Sequence, residues 1–156
     1  MPRRIFISYQ HEDQMQAKGF RLLRWNNNVE VDFFDRHLLD PVKSKDDNYV
    51  KRCITEQMKG TSVQVVLIGE KTHQSKWVAW EIEKAREMGK GILGIRLKGA
   101  EGAQIPAGLT EVGAEVIGWG PSEFNDAIER AAIAAGRGTA AAAALGRGEG
   151  GDGCSR

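Results

Sequence analysis

The run SVQVVLIG, Ser62 to Gly69, is almost wholly apolar and rich in valine and isoleucine. A run this short and continuous suits a strand covered on both faces, as in the middle of a parallel sheet. Four more short runs flank it: RIFIS (Arg4 to Ser8), VEVDFF (Val29 to Phe34), GILGIRL (Gly91 to Leu97) and AEVIGW (Ala114 to Trp119). VEVDFF alternates polar and apolar at first, as an edge strand does. Amphipathic stretches separate the runs, and strands alternating with helices build a parallel α/β sheet with right-handed crossovers. Five strands then favour a flavodoxin-like, three-layer fold with strand order 2-1-3-4-5.

The helices carry their own signals. The first is expected from about Asp13 to Trp25, with Ala17, Phe20 and Leu23 in one row. The second has Asp46 or Asp47 as N-cap and sets Tyr49, Val50, Cys53, Ile54 and Met58 on one face. The third follows Ser75 and stops at Gly89. The last starts near Pro121 and carries Phe124, Ala127, Ile128 and Ala131. Residues 1–136 read as one domain. Residues 137–156, a glycine- and alanine-rich segment, are expected to be a disordered tail, although the alanine run is able to extend the helix.

Bulk properties exclude several classes. Net charge is +1 with both signs mixed along the chain, which argues against a nucleic-acid footprint or a polybasic membrane patch. The apolar runs are far too short to span a bilayer, and MPRRIFIS lacks the long apolar segment of a secretory signal. Two cysteines, Cys53 and Cys154, make neither a disulfide framework nor a metal site, and His11 and His37 lack metal-ligand spacing. The chain is expected to be cytoplasmic.

In an open sheet of this order, ligands bind between the carboxyl ends of strands one and three. The helix after strand three, SKWVAWEIEKA, therefore borders the crevice. With Trp77 at zero on a helical projection, Ala85, Val78 and Ile82 fall near 80°, 100° and 140°, an inward-facing arc, and Glu81 falls within it at about 40°. A buried carboxylate is costly unless paired or bonded. One alternative is structural, with Glu81 snorkelling or paired with an arginine or backbone amides.

SYQHED, Ser8 to Asp13, leaves strand one at the same mouth; Glu12 and Asp13 also suit the positive end of the first helix. DFFDRH, Asp32 to His37, ends strand two. There Asp35 and Arg36 are placed to touch a ribose or phosphate, or else form a solvated loop. No GxGxxG, GxxxxGK[ST] or GxSxG pattern occurs, and no aspartate ends strand three as in a phosphoacceptor receiver.

RIFISYQHED, DFFD, TSVQVVLIGEKT and SKWVAWEIEKA, taken in order, resemble a TIR domain over about Arg4 to Trp119. The closer resemblance is to the TIR-like family that includes the Thoeris antiphage signalling protein. The proline-glycine loop of adaptor-type TIR domains is replaced by RHLLDPVKSKDD, and Val78 stands where a cysteine often follows the motif's tryptophan. The resemblance makes Glu81 the catalytic glutamate for cleaving the nicotinamide–ribose bond of NAD. It places Phe6, Ser8 and Tyr9 in the strand-one motif of the substrate site. Trp77, and Tyr9 from across the crevice, are then positioned to stack on the cationic nicotinamide ring.

NAD is thus expected as substrate rather than cofactor, with no metal, and the activity is of the NAD glycohydrolase or ADP-ribosyl cyclase type. The product implied is a cyclic ADP-ribose isomer, read by a separate effector protein after an unknown phage trigger. Self-association is expected too. Two other readings stay open: a non-catalytic TIR-like self-association module, and an enzyme akin to nucleoside deoxyribosyltransferases.

Overall fold

The computed structural model describes residues 3–22, 29–33 and 46–144, with side chains at 3–20 and 46–136. In chain order the elements are β1 (Arg3–Ser8), α1 (Gln14–Leu22), β2 (Val29–Phe33), α2 (Asp47–Met58), β3 (Val63–Ile68), α3 (Lys76–Glu87), β4 (Gly91–Arg96), α4 (Ala107–Glu111), β5 (Glu115–Ile117) and α5 (Pro121–Ala144). The strands form one sheet in the order β2-β1-β3-β4-β5, with every neighbouring pair parallel. The parallel α/β architecture suggested by alternating apolar and amphipathic runs is therefore present. Strand β3 is paired on both sides and buried throughout, which is why its sequence has almost no polar alternation.

Period-two alternation sorts the side chains into two layers. Ile5, Ile7, Val63, Val65 and Leu67 share one core cluster with Ala17 and Phe20 of α1 and Phe124, Ala127 and Ile128 of α5. On the other face Phe6 packs with Val50, Ile54 and Met58 of α2 and Ala85 of α3, while Val66 and Ile68 pack with Val78 and Ile82 of α3 and Leu109 of α4. The sheet is thus sandwiched between α1 and α5 on one side and α2, α3 and α4 on the other.

The helix ends follow local chemistry. Asp46 caps α2, its side chain accepting from the Asn48 and Tyr49 amides at 3.0 and 3.2 Å. Ser75 caps α3 through a 3.2 Å bond from the Val78 amide. At the far end Gly89 adopts φ +73°, and the Gly89 and Lys90 amides donate to the Arg86 and Ala85 carbonyls. That pair of bonds is a Schellman stop, which glycine enters without steric penalty.

Two features depart from the sequence-based expectations. Helix α5 continues past Gly136 to Ala144, so the expected domain boundary falls inside a helix; the alanine run has the highest helix propensity available and extends it. Residues 145–156 of the expected tail lie outside the described residues. Helix α4 was not anticipated, because five residues with a glycine leave no readable period.

Candidate functional site

In a sheet of this order the candidate site lies at the carboxyl ends of β1 and β3, under the face of α3 that covers them. On α3, Trp77, Glu81 and Ala85 form one i, i+4, i+8 row. Ala85 belongs to the Phe6 cluster and Trp77 packs against it. Val78 and Ile82, beside Glu81 on the helix, belong to the Val66 and Ile68 cluster. Glu81 therefore lies over the seam between β1 and β3. It is 7% exposed, and the residue is not without an interaction partner.

Beneath that seam β1 presents Phe6 and Ser8, in register with Gln64 and Val66 of β3. Ser8 is the last residue of β1. Gln64 Nε2 donates to Ser8 Oγ at 2.8 Å, and both residues are 1% exposed. Ser8 and Gln64 thus form a bonded polar pair inside an apolar layer, and Glu81 is buried on the α3 row that covers the same seam.

Two loops close the mouth. A carboxylate oxygen of Asp13, at the end of a 3-10 turn after β1, would lie 2.3 Å from a Cβ built on Gly69 at the end of β3. Only glycine lets the two loops approach this closely. The Gly69 amide donates to Thr72 Oγ1 at 2.8 Å, and Lys71 pairs with Glu12 across the same gap at 3.9 Å. Burial pushes the Asp13 carboxyl above its ordinary range; Glu12 and Glu70 push the same way, against a hydrogen bond with Thr72. Asp13 is thus turned toward the β3 loop, in addition to its place at the start of α1.

The expected site residues divide clearly. Glu81, Ser8, Phe6 and Trp77 share one layer, with Phe6 buried among α2 and α3 side chains. Trp77 is half-buried and meets Trp80 edge-on at 6.1 Å. Tyr9 does not join them: it packs against the cluster on the opposite face. Alternation along β1 puts Ile5 and Ile7 on that side and Phe6 and Ser8 on the other. Asp35 and Arg36 lie outside the described residues. Sequence reasoning missed Gln64, although a lone amide inside an apolar central strand was a usable signal, and missed the Asp13–Gly69 contact, which has no local signature.

Chemically, the seam offers a carboxylate shielded from bulk water and a buried hydroxyl, with an indole on the carboxylate's own helix row. A negative charge in such a setting stabilises a developing cation far better than one in water.

The family model described as the Thoeris protein ThsB, TIR-like domain, matches residues 6–102, a span that runs from the middle of β1 through β4 and includes Ser8, Gln64 and Glu81. A protein of Bacillus cereus (strain MSX-D12) named "Putative cyclic ADP-D-ribose synthase ThsB1" is 33% identical over 102 residues, covering 62% of this chain and 53% of that protein. The chain thus spans about half the length of that curated relative.

Proposed function

The chain belongs to the TIR-like family of the Thoeris protein ThsB, and from that membership we propose that it is an NAD-cleaving enzyme whose product is a cyclic ADP-ribose isomer used as a signal in antiphage defence. The observation that carries the reading is the burial of Glu81 on the α3 row that covers the β1 and β3 side chains. The name of the Bacillus cereus relative supports the cyclase assignment. The five-stranded 2-1-3-4-5 sheet supplies the frame, with the seam at its switch point.

Breaking the N-glycosidic bond sends its electron pair to nicotinamide, which leaves neutral, and leaves positive charge on the anomeric carbon. Glu81 stabilises that carbon or captures it, as carboxylates do in glycoside cleavage. No general acid is needed, because the leaving ring already carries a positive charge. A nucleophile from the adenosine half then closes the ring; attack by water would give linear ADP-ribose instead. Trp77 offers a face for the cationic ring, and Ser8 a hydroxyl for the ribose. Asp35 and Arg36 remain candidates for the ribose and phosphate groups, and Phe6 walls the site.

NAD is consumed as substrate, so the reading requires no cofactor. A separate effector reads the product, and turnover depends on self-association. Among the described residues no helix is long and apolar enough to cross a membrane.

The test is direct. Purified protein over a wide concentration range is incubated with NAD, and products are resolved by mass spectrometry. Nicotinamide release with a cyclised product, rising more steeply than linearly with protein concentration, is expected. No nicotinamide release at any concentration, with or without extract from phage-infected cells, refutes the enzyme reading.

A further inference from the structure

Strand β3 is five aliphatic side chains and one amide, Gln64. The strand is paired along both edges and covered on both faces, so a polar side chain there has to find partners inside the protein. Gln64 finds one, donating Nε2–H to Ser8 Oγ at 2.8 Å across the β1–β3 register. Its Oε1 is buried and has no hydrogen-bond partner. An aliphatic residue would fill the same space without leaving an amide oxygen unbonded. The amide is therefore poorly explained by packing and well explained by what it does to Ser8.

We propose that Gln64 is a positioning residue of the NAD-cleaving site and acts through Ser8. By donating to Oγ it occupies an acceptor position of the hydroxyl, so Ser8 turns its own proton away from Gln64. The hydroxyl is then fixed as a donor at the β1–β3 seam, where Glu81 sits and where the ribose is held. Without Gln64 the hydroxyl rotates freely between donor and acceptor roles, and the ribose loses a fixed contact in the transition state. This inference rests on the reading of the Ser8–Glu81 seam as the NAD site.

Gln64→Met keeps side-chain length and removes both polar atoms; Gln64→Leu, matching the strand's aliphatic character, serves if methionine fails to fold. Each is compared with Ser8→Ala and the double variant by melting curve and by kcat and KM for NAD, at protein concentrations where the wild type turns over. The Gln64 variant is expected to melt at or above the wild-type temperature, since a buried unbonded carbonyl is removed. Its kcat is expected to fall about ten- to a hundredfold, and the double variant to be no worse than the more impaired single, as for two residues acting as one unit. A Gln64 variant with wild-type kcat overturns the inference. So do losses that multiply in the double variant, or an activity loss that merely follows a lowered melting temperature. Wild-type protein that releases no nicotinamide refutes the proposed function and this inference together, whereas an active wild type with an unimpaired Gln64 variant refutes this inference alone.

Discussion

Replacing Glu81 with glutamine keeps the side chain's shape and removes its charge, so it separates catalysis from structure at one position. The residue is 7% exposed and flanked by Trp77 and Ala85, which pack into or against the Phe6 cluster. If its role were to neutralise a structural cation, the variant would leave that charge buried and unpaired, at about 3–5 kcal/mol. At about 2–4 °C per kcal/mol for a chain of this size, the melting temperature would drop by roughly 6–20 °C. If the carboxylate instead waits for a ribosyl cation, glutamine fills the same space and keeps an acceptor oxygen. Stability should then stay within about 1 kcal/mol, the range of well-tolerated isosteric changes. Turnover, however, loses a charge aimed at the transition state; removing one preorganised group of this kind costs about 3–4 kcal/mol, or roughly a hundred- to a thousandfold in rate. A melting curve and nicotinamide release, measured on one preparation, read both quantities. A stable Glu81→Gln protein with wild-type turnover refutes the mechanism, and so does a destabilised one whose activity falls only in proportion to its folded fraction.

Tyr9→Ala should lower stability by about 1–3 kcal/mol, less than a fully buried aromatic truncation, and leave KM for NAD unchanged, because the ring packs on the α1–α5 side; a raised KM at wild-type stability would return Tyr9 to the crevice. Gly69→Ala brings a methyl against the Asp13 carboxylate, so a loss of about 1–3 kcal/mol is expected, and a crystal structure of the variant should show the β1 and β3 loops moved apart. Unchanged melting would refute the close approach. Asp13 has its carboxyl raised in the folded state, first by burial and then by Glu12, so the unfolded chain releases this proton at lower pH than the folded one. Between the two values the folded state holds more protons, and this group's contribution to stability falls as pH rises. Asp13→Asn removes that dependence. The variant's melting temperature should gain on the wild type as pH climbs from the ordinary carboxylate range toward neutrality, and a constant difference would refute the assignment.

Much of the fold was legible because its signals are local. The Val- and Ile-rich run of β3, the capping side chains of Asp46 and Ser75 and the glycine stop of α3 each act within a few residues. The inward position of Glu81 was legible too, since helical period alone places it with Trp77 and Ala85. What local pattern does not carry is register between strands distant in sequence, or the meeting of two loops. Ser8 receives the amide of Gln64 only because β1 and β3 pair in the offset that sets Phe6 opposite Gln64. Asp13 lies on Gly69 only because that pairing brings the two loops to one edge of the sheet. The polar residues of the site were thus chosen by sequence. Their conjunction was decided by tertiary packing, because hydrogen bonds and steric contacts act over a few ångströms whatever the separation along the chain.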